Sequence, residues 1–113
     1  MKNANFEKEA LFEENKPAIR LMLETENTKE IRILMKKGQV MRKHQTAYPI
    51  VVHLIWGAID FGVEGMTHAL ESGAILSLDR NVPHSLVAKE DSMVRLSLAK
   101  QDSLHRVTDV VAE

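Results

Sequence analysis

Apolar and polar residues alternate one by one along most of this chain, and that rhythm excludes most folds. Side chains on a strand point to opposite faces in turn, so a period of two marks a strand with one buried face. In AIRLMLE (18–24), Ile19, Leu21 and Leu23 share a face, with Arg20, Met22 and Glu24 opposite. In IRILMK (31–36), Ile31, Ile33 and Met35 alternate with Arg32, Leu34 and Lys36. TENTK lies between them, and Asn27 suits a hairpin turn there. VVHLIW (51–56) is apolar on both faces, the pattern of a strand covered on both sides. AIDFGVEG, MTHALESG, AILSL, HSLVA and MVRLSLA continue the series, with Glu64–Gly65 and Gly73 as breaks. Short strands at intervals of about eight to twelve residues predict an antiparallel sandwich or barrel.

Helical character is confined to the ends. NFEKEALFEEN is rich in helix formers and predicts a short amphipathic turn or two. DSLHRVTDVVAE places Leu104, Val107 and Val111 near helical spacing behind Asp102, a candidate N-cap. Frayed ends are the alternative. The 113 residues fit one domain, with a barrel core over about 17–100. A core of that size gains from association, and a small sheet has edges that need cover, so a homodimer is expected.

Composition narrows the function classes. A formal net charge of −1 argues against a nucleic-acid partner or an anionic membrane surface. The basic run KKGQVMRKH is balanced by the acidic EKEALFEEN and reads as a solvated strand end. The absence of cysteine excludes disulfides, thiolate catalysis and sulfur-rich metal sites. YPIVVHLIWGAI, the longest apolar stretch, is too short to span a bilayer as a helix. The acidic start lacks a hydrophobic signal region, so a cytoplasmic protein is expected. No serine–histidine–aspartate set, phosphate loop or carboxylate pair can be assembled.

The spacing of glycines and histidines over residues 38–88 resembles the cupin superfamily. Its first motif runs glycine, five residues, His-x-His, three or four residues, glutamate, six residues, glycine. In GQVMRKHQTAYPIVVHLIWG, Gly38, His44 and Gly57 match, while Thr46 replaces the second histidine and Ile50 the glutamate. The second motif runs glycine, five residues, proline, one residue, glycine, two residues, histidine. In GAILSLDRNVPH, Gly73 and His84 match, while Asp79 replaces proline and Asn81 replaces glycine. Asparagine tolerates the left-handed conformation best after glycine, so that change is mild. The resemblance covers about two-thirds of the chain, and is to small single-domain bacterial cupins with a degenerate metal motif. It implies an all-β, antiparallel jelly-roll barrel.

The resemblance also implies where a site lies. His44 and His84 would look into one cavity, with Thr46, Ile50 and Val52 as further pocket candidates. Pro83 donates nothing to a ladder and suits a strand start, so His84 would open its strand. A family metal would need three histidines and a glutamate. Only His44 and His84 stand at those positions, which leaves an incomplete metal site and admits at most a weakly bound divalent metal. His53 has the parity opposite to Ile50, Val52 and Leu54 and would face outward. His68 shares its parity with Leu70 and reads as a packed or turn-bonded residue. His105 lies in the tail and reads as solvated.

The five internal methionines, Met22, Met35, Met41, Met66 and Met93, fit gap-filling in a small barrel, or an adaptable pocket. Trp56 is placed for a pocket mouth or a dimer contact. Two function classes follow. One is a small-molecule-binding cupin with His44 and His84 as polar anchors in an apolar lining. The other is a metal-dependent enzyme, of oxygenase or isomerase type, on the same two histidines plus a further ligand.

Overall fold

The alternation resolves into two antiparallel sheets packed face to face. A computed structural model of the chain describes residues 1–102 and 107–108. Nine strands lie among them: β1 (Ala18–Glu24), β2 (Thr28–Met35), β3 (Val40–His44), β4 (Ile50–Trp56), β5 (Ala58–Val63), β6 (Met66–Glu71), β7 (Ile75–Leu78), β8 (His84–Ala88) and β9 (Ser92–Ala99). One sheet has the order β1-β2-β9-β4-β7 and the other β3-β8-β5-β6. Each pairing is antiparallel. Strands distant in sequence, such as β2 with β9 and β3 with β8, lie side by side, as a jelly roll requires.

The inner faces follow the parity of the sequence. Ile31, Ile33 and Met35 of β2 meet Val94, Leu96 and Leu98 of β9 and Ile50, Val52 and Leu54 of β4 in one core. Ile59, Phe61, Leu86 and Ala88 close it from the other sheet. β1 departs from strict alternation. Its register with β2 shifts between Leu21 and Leu23. Ile19 and Leu21 therefore pack on the core, and Leu23 does not join them. β4 also departs from expectation. Val51, His53 and Ile55 on its outer face are only half-buried.

Two glycine positions have steric reasons. Gly65 (φ 75°) and Glu64 (φ 52°) form the two-residue turn between β5 and β6. Positive φ at both residues gives the twist that flanking strands need. Gly57 (φ 116°) sits where an added Cβ would lie 2.6 Å from the Ser92 Cα.

Residues 1–16 do not form the expected amphipathic helix. They contain one turn over residues 6–9, and the chain then runs across the outer face of the larger sheet. Arg32, 4% exposed on that face, explains why. Its guanidinium donates to the carbonyls of Phe6 (3.0 Å), Lys8 (2.9 Å) and Glu9 (3.1 Å). A continuing helix would spend such carbonyls on its own amides. Burial, and then Arg20, lower the Arg32 pKa from its ordinary value, while Glu9 and Glu7 act in the opposite direction. The segment has further anchors. Trp56 Nε1 donates to Glu7 (3.1 Å), and Phe12 packs on the Trp56 ring at 6.3 Å. Gln39 Nε2 donates to the Glu13 carbonyl (2.9 Å). Leu34 and Met93, cross-strand partners, are buried although they lie outside the inter-sheet core.

At the other end, Val107 and Thr108 are helical, and Val107 is fully buried in the core. Leu104, His105 and Val111 lie outside the described residues.

Candidate functional site

His84 opens β8, directly after Pro83. The loop before it is shaped by Asn81, which takes φ 62° at the motif position of glycine. Its amide donates to the Thr46 carbonyl at 2.7 Å, tying the β7–β8 loop to the β3–β4 loop. His44 ends β3 and is the cross-strand partner of His84. The two rings lie 4.3 Å apart at 58°. His84 is 3% exposed and His44 half-buried.

Both rings are held in the same way. His44 Nδ1–H donates to the Arg42 carbonyl (2.8 Å), and His84 Nδ1–H to the Val82 carbonyl (2.9 Å). In the neutral imidazole this leaves the lone pair on Nε2. His84 also stacks on Phe61, with centroids 5.7 Å apart and planes at 15°.

Two chambers adjoin this group. The first is lined by His44 and His84 with Met41, Val52, Leu86 and Leu96, and holds about 10 Å³. That is the space of about one water. The second has a volume of about 250 Å³, bounded by Phe61, Val63, His68, Leu70, Leu76, Ser77 and Leu78. It opens between β6 and β7, the edge strands of the two sheets. Phe61 is common to both regions, since it walls the larger chamber and stacks on His84.

The candidate residues divide accordingly. His44, Val52 and His84 share the small chamber, but Thr46 and Ile50 do not line it. Thr46 is buried and turned elsewhere, its hydroxyl donating to Asp102 Oδ2 at 2.7 Å. Ile50 belongs to the apolar core. His53 lies on the outer face, opposite in parity to the buried Val52 and Leu54. His68 pairs across the strands with Phe61 and is exposed at the rim of the larger chamber. Trp56 is covered by Phe12 and Glu7 of its own chain. Sequence reading missed the larger chamber. The inward parity of Phe61, Leu70 and Leu76 was visible, but not that β6 and β7 would be the edges framing a gap.

A resident catalytic metal does not fit the described residues. Such sites take three protein ligands, commonly histidines with a carboxylate. Among the described residues no group of three histidine, aspartate or glutamate side chains converges. Thr46 is engaged with Asp102, and Ile50 offers no donor atom.

No protein-family model and no curated protein matches the chain. Solved structures do match it. An RmlC-like cupin protein from Desulfovibrio desulfuricans superposes with a TM-score of 0.79 at 24% identity, over 88% of this chain and 96% of that one. The chain has the RmlC-like cupin fold. A Thermus thermophilus protein, TT1209, gives a TM-score of 0.80 at 16% identity, covering 88% of this chain and 97% of that one. A Klebsiella pneumoniae protein with a double-stranded β-helix domain gives 0.76 at 15% identity, covering 88% and 89%. At such identities the likeness is one of fold, and it agrees with the motif spacing that places His44 and His84 side by side.

Proposed function

We propose that this cupin binds a compact, largely apolar small molecule in the barrel, entering between β6 and β7. The observation that carries the reading is the chamber of about 250 Å³ beside the His84–Phe61 stack. Ligand sites are mostly apolar hollows with a few placed polar groups. Here Phe61, Val63, Leu70, Leu76 and Leu78 supply the apolar wall, and His68 and Ser77 the polar points. Typical sites span about 300–1,000 Å³, so the ligand is at the small end, a single ring or a short branched chain. The histidine pair lies behind Phe61 and supports the inner wall; its own chamber takes a water and not an organic group. The test is a methyl NMR titration with phenol and with benzoate, a neutral and a charged probe of that size. Saturable shifts at Leu70, Leu76 and Leu78 are expected with at least one. Unmoved methyls with both probes would overturn the reading.

A second reading, a metal-dependent enzyme of oxygenase or isomerase type, draws on one observation. Each imidazole keeps Nδ1–H on a backbone carbonyl, as metal-binding histidines do when a second shell orients them. Two neutral imidazoles hold a divalent ion weakly unless other donors complete the shell. Stoichiometric zinc, iron or manganese in protein purified without an affinity tag would favour this reading over the first.

A further inference from the structure

We propose a second site, for a small oxyanion, on the outer face of the four-stranded sheet. It is distinct from the barrel interior and rests on Gly62. The chain has five glycines, and the other four have positive φ. Gly62 does not, so backbone conformation gives no reason for a glycine in the middle of β5. A glycine there weakens a strand unless something must approach closely. Space gives the reason. A Cβ on Gly62 would fall 2.7 Å from the Ser85 hydroxyl. The missing side chain keeps that hydroxyl uncovered.

The surrounding residues form a row across the sheet. Gly62 pairs with Ser85 of β8 on one side and Thr67 of β6 on the other. Lys43 of β3 continues the row beyond β8. Together with Pro83 and Glu64 they line an open depression of about 180 Å³. Among the described residues, the Ser85 and Thr67 hydroxyls and the Lys43 ammonium make no hydrogen bond or ion pair, although all three residues line the one depression and the Ser85 hydroxyl lies against the vacated Cβ position. That donor set suits a carboxylate or phosphate group, because hydrogen bonds from donors to an ionised acceptor are the strong ones. Glu64 at the rim opposes an anion and limits its affinity.

The test is an amide NMR titration at constant ionic strength, with inorganic phosphate in one arm and acetate in the other. Saturable shifts at Gly62, Thr67 and Ser85 are expected with at least one. Phosphate alone marks a phosphoryl group as the ligand chemistry, and acetate marks a carboxylate. Gly62→Ala fills the space and displaces only the rotatable Ser85 hydroxyl, so it should fold and lose binding. Ser85→Ala and Lys43→Met should each weaken it about tenfold, and Glu64→Gln should tighten it. Shifts that never saturate with either ion would overturn the site. So would saturable binding that survives Gly62→Ala in a protein still unfolding cooperatively. If Gly62→Ala does not fold, unchanged binding in the Ser85→Ala, Lys43→Met double variant overturns it equally.

Discussion

His44 and His84 face each other across the β3–β8 ladder with ring centroids 4.3 Å apart, each pinned by Nδ1 to the carbonyl two residues before it. The pairing is as much a packing arrangement as a chemical one. His84 is the first residue of β8, and its ring lies flat on Phe61.

That geometry separates the two histidines in stability. His84→Ala removes a buried ring from a stack and should cost about 2 kcal/mol, within the range of buried truncations. His44→Ala, at a half-buried position, should cost less than His84→Ala. Urea unfolding of both variants checks the order, and the fold should survive both. An equal or inverted order would show that the Phe61 stack contributes little.

Arg32 should control the N-terminal segment. Arg32→Met leaves three carbonyls without their charged donor, and each hydrogen bond to a charged group is worth about 1.5–3 kcal/mol. The losses do not add fully, and about 3 kcal/mol is expected. Trp56 is the only tryptophan and lies under Phe12. Its emission should shift to the red, and protease should cut within residues 1–16. Unchanged emission with rapid cleavage would mean that Trp56 is not covered in solution. Lys36 Nζ donates to the Glu14 carboxylate at 2.6 Å, a further anchor of the segment, and this contact should hold at neutral pH. Glu14 raises Lys36 above the ordinary 10.5, first by its hydrogen bond and then by its charge. A raised lysine adds stability that is complete below its unfolded value and is lost as pH rises through the folded one.

Glycine substitutions should rank by space as well as by conformation. Gly57→Ala meets both a positive φ and the Ser92 backbone, and should cost about 3 kcal/mol or more. Gly38→Ala has a similar φ and open space, and should cost about 1 kcal/mol. Thermal unfolding of the pair measures the difference. Equal losses would show that the Ser92 contact relaxes freely.

Strands were legible because alternation is local. Ile31, Ile33 and Met35, or Val94, Leu96 and Leu98, state their face within a few residues. His84 as a strand start was legible from Pro83 beside it, and Asn81 as a left-handed residue from the motif glycine that the resemblance puts at its position. The N-terminal path was not, because it depends on Arg32, which alternation reads only as a charged outward residue. Its three acceptors lie more than twenty positions away. The chamber between β6 and β7 was hidden for a related reason. Its walls come from the consecutive strands β5, β6 and β7, but β7 joins the other sheet, and which strands end up as edges is a property of the whole topology.

Position 46 offers the sharpest contrast between motif and structure. The cupin motif has a histidine there, and this chain has Thr46, bonded to Asp102 at 2.7 Å across 56 residues. Thr46 and Asp102 are both buried, at 6% and 4% exposure, so the bond is shielded from water. The backbone at Thr46 is fixed as well, since its carbonyl receives the Asn81 amide. Thr46→Ser should keep the bond and lose little stability. Thr46→Val should cost about 1–3 kcal/mol, the penalty of a buried polar group deprived of a partner. Thr46→His restores the motif residue but should not create a metal site. The position is directed at Asp102, away from the small chamber shared by His44 and His84. Isothermal titration with zinc and with manganese is the measurement. No gain in affinity over the parent protein is expected, together with a loss of stability close to that of Thr46→Val. Tight, stoichiometric binding by Thr46→His, lost again when His84 is changed to alanine, would show that position 46 reaches the histidine pair after all.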